Sequence, residues 1–475
     1  MKNKEKCNYK WSFIKLVLQH VSVLLIGILS VGVSVSVAQQ TITYNPADLG
    51  VFPVGQDNSF HGVTKFQFRT HLVDDDFPTG AISQTALCDF TGDGQLEYHV
   101  GGAGGNFIYK FQNDGTWTRT EIRRITPDGS VEEGRGPTDA GGTAVDLTGD
   151  GLCDLVIGEA WYMNPGTLEG DWQQYLYAEE TGGNPNVHDQ EFFDLTGNGR
   201  LDMISMNDGT NLRWYEIPED PTEPWIRHDI GRSIHAGISP MAFGDLNGNG
   251  YIDIVRGDVW FENVNGDGSW WREHALGSLM TLPPGRLDDA GWANGTRTWV
   301  IDINGDGRND VVQVDGEVRG GRVWWMENLG SAPDGTVSWR RHIIAGGLRD
   351  LVNGESVYYG RVMGGMHSLY VDDFTGNGRP DIVTIEQDWD RARPGPNGEE
   401  RPRAFLYENL STGFDGSVLF HEHVISDVNL GGHELVGGDV TGNGKIDLIA
   451  KPWSPGSENA VQGRGYIIFL ENITP

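Results

Sequence analysis

Three cysteines in 475 residues are too few to build a scaffold from disulfides, so the fold has to rest on a packed core. Basic charge is also scarce. Against 67 Asp and Glu stand 35 Lys and Arg, a net charge of −32, and this balance excludes a nucleic-acid partner, since phosphate binding needs clustered cations. Helical periodicity is missing along the whole chain, which excludes helix bundles. Long apolar runs are missing beyond residue 38, so no stable membrane insertion is expected of that part.

The single long apolar run lies at the N-terminus. "MKNKEKCNYKWSFIK" is a basic leader, "LVLQHVSVLLIGILSVGVSVSV" an apolar stretch, and Ser36-Val37-Ala38 a small-x-small cleavage signal. Residues 1–38 are therefore expected to be a signal peptide, with Gln39 opening a secreted or periplasmic protein; a signal anchor is the alternative. Cys7 precedes the apolar run and is no lipoprotein attachment site. Loss of the leader removes five Lys and one Glu and takes the net charge from −32 to −36.

What the chain has in quantity is glycine, 68 residues, and tryptophan, 16. Many of the glycines fall in one nine-residue pattern that occurs seven times. It reads "DFTGDGQLE" from Asp89, "DLTGDGLCD" from Asp146, "DLTGNGRLD" from Asp194, "DLNGNGYID" from Asp245, "DINGDGRND" from Asp302, "DFTGNGRPD" from Asp373 and "DVTGNGKID" from Asp439. Positions 1, 5 and 9 carry Asp, Asn or Glu, position 3 carries Thr or Asn, and Gly at 4 and 6 allows a tight turn. This resembles the first half of a calcium loop, whose distant Glu is replaced by an acid at position 9. An apolar run with β-branched residues follows, so each loop joins two strands.

The copies stand 48 to 71 residues apart, enough for one four-stranded sheet per repeat. A second motif follows each loop, as in "VWFENV", "VWWMENLG", "FLYENLS" and "IIFLENI". A third pairs an aromatic residue with a His or its substitute three positions on: Trp117 with Thr120, Trp172 with Tyr175, Trp225 with His228, Trp271 with His274, Trp339 with His342, Phe420 with His423. The last repeat lacks this third motif, and "KFQFRTHLVD" supplies it near the start through Phe68 and His71. The reading is an all-β protein, one seven-bladed β-propeller over residues 39–475, closed by the N-terminal strand so that no sheet edge stays open. Cys88 and Cys153 lie in adjacent blades, as a disulfide or as two buried thiols.

Hard oxygen donors recur in every loop: Asp89, Asp93 and Glu97; Asp146, Asp150 and Asp154; Asp194, Asn198 and Asp202; Asp245, Asn249 and Asp253; Asp302, Asp306 and Asp310; Asp373, Asn377 and Asp381; Asp439, Asn443 and Asp447. Structural Ca²⁺ is expected there, with a metal-free Asx turn as the alternative. These loops and the blade-length repeats resemble the FG-GAP or VCBS repeat family. The resemblance implies an integrin-type propeller with its calcium loops on the lower face. It also implies a broad choice of function, because that family includes adhesion modules, the propeller of aldos-2-ulose dehydratase and ulvan-type polysaccharide lyases.

If the loops mark one face, six residues upstream of each lies the other. Those positions hold Ser83, Ala140, His188, Ser239, Thr296, His367 and His433. Three imidazoles at equivalent ring positions are candidates for acid/base work, with His235, Tyr358 and Tyr359 beside them. Arg256, Arg297, Arg361, Glu386, Lys451 and Trp453 are candidates for binding substrate. Zn²⁺ held by His188, His367 and His433 with Glu386 is a further expectation, and channel-lining His without chemistry is the alternative. The outer-strand His71, His228, His274, His342 and His423 read as structural.

The chemistry that suits such a set is β-elimination on a uronate-containing glycan such as ulvan, by a lyase or a dehydratase acting as a monomer on an acidic oligo- or polysaccharide. A His takes the proton beside the carboxylate, a cation steadies the enolate-like charge, and a Tyr or second His protonates the departing oxygen. The competing reading is a glycan- or protein-binding propeller without turnover, whose tryptophans meet the ligand. Hydrolysis ranks third, because no carboxylate pair stands out in the top turns. The long connection "EQDWDRARPGPNGEERPR" reads as a substrate lid or a surface excursion.

Overall fold

The computed structural model describes residues 41–51, 65–77, 82–102, 105–132, 142–178, 187–207, 211–234, 237–277, 296–316, 321–346, 348–352, 355–359, 365–387, 402–412, 418–428, 430–453 and 465–475. The expected signal peptide, His235, Arg361 and most of the long connection after Gln387 lie outside them. The described chain folds into seven antiparallel sheets of four core strands each. In blade 5 these are Arg297–Ile301, Asp310–Val314, Val323–Ser331 and Val337–Ala345, and the loop from Asp302 joins the first two. No described helix is long and apolar enough to cross a membrane.

Each loop folds as a carboxylate-centred turn. In blade 5 the first Asp accepts the amides of both loop glycines, Gly305 and Gly307 each reaching Asp302 at 2.8 Å. Gly305 and Gly307 sit at positive φ, 76° and 84°, where a Cβ is strained. In blades 3, 6 and 7 the Asn between the glycines donates with the second Gly, as Asn377 and Gly378 do to Asp373. The ninth acid turns inward instead. Asp310 is fully buried and accepts the amides of Ile303 at 3.0 Å and Asn328 at 2.7 Å.

Asn328, the last residue of the "EN" motif, also ties blades together. Its Nδ2 donates to Leu246 O in the preceding blade at 2.7 Å. Asn164 and Asn409 do the same to Phe90 O and Ile303 O. The motif is therefore a polar staple at a place where the backbone groups of a turn would otherwise go unpaired.

Between blades, apolar side chains form a series of clusters around the ring. Blades 1 and 2 share Ile108, Leu155 and Trp172, blades 2 and 3 share Trp161 and Tyr215, and blades 3 to 5 share Trp214, Trp260 and Trp324. Trp325 and Phe405 join blades 5 and 6, Leu406 and Leu470 blades 6 and 7, and Phe469 and Trp117 blades 7 and 1. Trp161 and Trp260 are thus packing residues, each fully buried. Three outer-strand histidines pack as structural residues: His228 stacks on Trp214, His274 on Trp260 and His342 on Trp325, with centroids 4.0, 4.3 and 4.5 Å apart.

The ring closes as expected. Strand Phe68–Phe77 lies antiparallel to Gly465–Asn472, with His71 opposite Phe469, and completes blade 7. The N-terminal segment does more than its motif announced. Thr41–Tyr44 adds a strand outside blade 1 and Ala47–Val51 one outside blade 7, so one segment clasps both blades. Cys88 and Cys153 form a disulfide between blades 1 and 2, with Cα atoms 6.3 Å apart.

Candidate functional site: the axial chamber

Along an inner strand, side chains alternate between the axis and the neighbouring blade. Ahead of the loops, the axial residues of blades 3, 5 and 7 include Asp189, Glu191, Arg297 and Glu434. They line a cavity of about 260 Å³ together with His188 and Ser239. His188, Asp189, Arg297 and Glu434 come from the strand ends opposite the loops, and Glu191 lies further along its strand, Val187–Phe193.

Arg297 is the centre of the network and is 2 % exposed. Its Nε donates to His367 O at 2.9 Å, Nη1 approaches Asp189 Oδ1 at 3.5 Å, and Nη2 binds Glu434 Oε1 and lies 3.3 Å from His367 Nδ1. Blades 3, 5, 6 and 7 therefore meet on one guanidinium. His367 and His433 stack with centroids 3.6 Å apart, and Trp453 packs at 5.0 Å from His433.

Asp189 lies between an imidazole and a guanidinium. His188 Nδ1 stands 2.7 Å from Asp189 Oδ1, and the amides of Gly237, Ile238 and Ser239 point at Oδ2 from 3.0 to 3.3 Å. Burial by itself would raise the Asp189 proton affinity, but His188, Arg297 and the Ile238 amide overcome it and hold the carboxyl well below the usual range. An ionised Asp189 is a pure acceptor, so His188 donates from Nδ1, and its tautomer and ring direction are set.

Glu191 behaves oppositely. Burial, reinforced by the nearby Asp189 and Glu434 carboxylates, pushes it well above the ordinary carboxylate value, and the Ser239 hydroxyl donates to its Oε1 at 2.6 Å. Within one chamber, burial and neighbours thus push two carboxyls in opposite directions, Asp189 down and Glu191 up, the kind of separation that distinguishes base from acid. His367 is fully buried. Burial, then His433 and Arg297, hold it well below its usual value and keep it neutral.

Of the three expected histidines, His367 and His433 stack on each other beside Arg297, while His188 lines the cavity and is linked to them through Asp189 and Arg297. Other expectations need correction. Glu386 is not a chamber ligand: it is buried against Arg403, whose Nε and Nη2 bind it at 2.9 and 2.7 Å. Glu434 takes its place, since His367, His433 and Glu434 bring ligand atoms within 4.8 Å of one another. The Arg297 guanidinium already occupies that cluster, so Zn²⁺ does not fit it as folded. Arg256 lies outside the chamber, packed over Phe261 and bound to Arg232 O.

Lys451 is buried on the second strand of blade 7, opposite Glu434. Tyr358 and Tyr359 belong to a separate hairpin, Leu348–Val352 with Glu355–Tyr359, and not to an inner strand. Asp189, Glu191 and Glu434 escaped the sequence reading, which followed the sixth position before each loop. The fifth position holds Asp189, Arg297 and Glu434, a charged ring that the two-residue period of a strand would have exposed.

At the opposite end, blade 1 offers a test of whether the loop oxygens suit a cation. Lys110 Nζ sits 2.9 Å from Thr91 Oγ1, 2.6 Å from Asp93 Oδ2 and 2.5 Å from Glu97 Oε1. An ammonium thus stands where these oxygens converge, and the donor set fits a hard ion. In this blade Lys110 replaces the Glu of the "EN" motif.

Comparison with known proteins gives the repeat but no activity. Residues 89–157 and 194–255 match the FG-GAP-like repeat family. No curated protein matches the chain in sequence. Among solved structures, it is similar to an Agrocybe aegerita lectin that recognises non-reducing terminal N-acetylglucosamine, at 16 % identity over 84 % of this chain and 87 % of that one, TM-score 0.45. It is similar to BBS1N, solved in complex with ARL6DN, at 10 % identity over 91 % and 99 % of the two chains, TM-score 0.43. The exotype rhamnogalacturonan lyase YesX is similar at 11 % identity over 91 % and 76 %, TM-score 0.39.

Proposed function

From a chain that carries FG-GAP-like repeats and closes into a seven-bladed propeller, we propose a carbohydrate-active carbon–oxygen lyase with its reaction centre in the axial chamber. The observation that carries this reading is the oriented His188–Asp189 pair in one cavity with Glu191, whose proton affinity burial raises. His188 is the base. It takes the proton from the carbon next to a uronate carboxylate, that electron pair forms the new C=C bond, and the bond to the β oxygen breaks. Glu191 protonates the departing oxygen, in the place where the sequence suggested a Tyr or a second His. The leaving group is a sugar in a polysaccharide lyase and water in a dehydratase.

One observation favours the second reading, glycan binding without turnover. Arg297 already bridges Asp189 and Glu434, so a uronate must displace one of them or meet a cation outside the described residues. We also propose that the loops hold structural Ca²⁺, which the convergence of loop oxygens on Lys110 supports. The disulfide between blades 1 and 2 supports an oxidising compartment, secreted or periplasmic.

The test is a panel of acidic and neutral polysaccharides, ulvan first, followed by ultraviolet absorbance for an unsaturated sugar and by mass for loss of water. His188→Gln and Glu191→Gln should each slow turnover by roughly two to four powers of ten. Product formation unchanged in both variants would remove the chamber from the mechanism. Tight binding without product, equal in parent and variants, would favour the binding propeller.

A further inference from the structure

The outer two strands of blades 4, 5 and 7 repeat one cross-strand device. The Glu of the "EN" motif stands opposite an Arg and diagonal to a His: Glu262 with Arg272 and His274, Glu327 with Arg340 and His342, Glu471 with Arg69 and His71. Each carboxylate meets both partners. The His contacts are 2.8, 2.7 and 2.8 Å, and the Arg contacts 3.1, 3.3 and 3.6 Å.

Blade 6 departs at one position. Opposite Glu408 stands His421 where the sister blades have Arg, while His423 keeps the diagonal place. Residues two apart on a strand face the same side, so both imidazoles lie with the carboxylate. The rings are 4.3 Å apart, His423 Nε2 is 3.0 Å from Glu408 Oε2, and the ligand atoms of all three residues lie within 4.8 Å of one another. His421 is exposed and the other two are buried, so solvent reaches the cluster from one side.

The positive charge that the Arg brings elsewhere comes here from Lys65, whose Nζ is 2.5 Å from Glu408 Oε1. Its side chain is 55 % exposed and can return to water at little cost. A cation is therefore held at Glu408 in an exchangeable way.

We propose that Glu408, His421 and His423 form a transition-metal site of the zinc class on the outer edge of blade 6. Two imidazoles and one carboxylate form a mixed nitrogen and oxygen set that suits Zn²⁺ and not Ca²⁺, and three protein ligands leave a fourth position for water. The metal takes the place of the Lys65 ammonium on Glu408. It pins the two outer strands of blade 6 beside the N-terminal segment, where Phe66 packs on His423 with centroids 4.8 Å apart. The site shares no residue with the chamber or the loops.

The full chain, stripped of metal and refilled with excess Ca²⁺, is titrated with Zn²⁺ and Co²⁺ beside His421→Arg, the change that restores the sister-blade residue. The parent should bind one more equivalent of Zn²⁺ than the variant and give a visible Co²⁺ band of tetrahedral coordination that the variant lacks. Equal stoichiometry with identical Co²⁺ spectra overturns the site. Should His421→Arg unfold, His421→Gln serves for the same difference. Lys65→Met removes the competing ammonium and should tighten Zn²⁺ binding several-fold; unchanged or weaker binding counts against the exchange.

Discussion

At the loop end of the inner strands, buried carboxylates such as Asp310 and Asp381 meet backbone amides, in the same pattern blade after blade. At the axial end, Asp189 meets an imidazole and a guanidinium as well as amides, and no other described blade repeats this. The amides of a turn belong to any sequence that makes the turn, so the first solution can recur. The second needs particular side chains from different blades at one point. Repetition therefore marks what the fold requires, and a charged group without a counterpart marks what this protein does with it.

Arg297→Met should break the axial arrangement with the largest effect. It leaves Asp189 and Glu434 without their guanidinium in a buried place, at a cost of about 3 to 5 kcal/mol, read from chemical denaturation. An unchanged midpoint would mean that His188 and the amides carry the Asp189 charge by themselves.

Asp310→Ala should cost about 2 to 3 kcal/mol, because the amides of Ile303 and Asn328 lose their buried acceptor. The same change at Asp253 or Asp381, which hold the corresponding pairs, should cost about the same. A several-fold spread among the three would show that the loops are not interchangeable.

Acid should sharpen the contrast further. The His367 proton affinity is held below the ordinary value of 6.5 by burial first. Below that pH the unfolded chain takes up a proton that the folded one refuses, so stability falls as pH falls. The loss is about 1.4 kcal/mol by pH 5.5. Asp253, Asp310 and Asp381, raised to about 7 by burial, contribute with the opposite sign in the same window. The His367 share is therefore read as the difference between the parent and His367→Gln profiles, and identical slopes between pH 7 and 5.5 would refute the assignment.

Lys110→Met should show the smallest effect, below about 1 kcal/mol, since the ammonium is part-exposed. The loss should appear in chelator and shrink on adding Ca²⁺. An equal loss under both conditions would mean that Lys110 does not stand in for an ion.

The loops and the closing strand were legible because each depends on residues close in sequence. Asp302 binds amides three and five positions on, and the Phe68 and His71 pair announces an outer strand by spacing alone. The chamber was legible in part. Its histidines appeared at the sixth position before the loop, whereas Asp189 and Glu434 did not, because their importance depends on Arg297 arriving from another blade. Glu386 misled for the same reason: its partner Arg403 lies on the far side of the long connection.

By itself the sequence determined the repeat, the number of blades, the β-turn chemistry of the loops and the order of strands, since these follow from local spacing and the two-residue period of a strand. Only the tertiary structure decided which charges meet at the axis, that the proton affinities of Glu191 and Asp189 are pushed in opposite directions, and that Cys88 finds Cys153. Proton affinity and pairing depend on burial and on neighbours from other blades, as Asp189 and Arg297 are 108 residues apart and Cys88 and Cys153 65. Closing the ring is what brings those neighbours together.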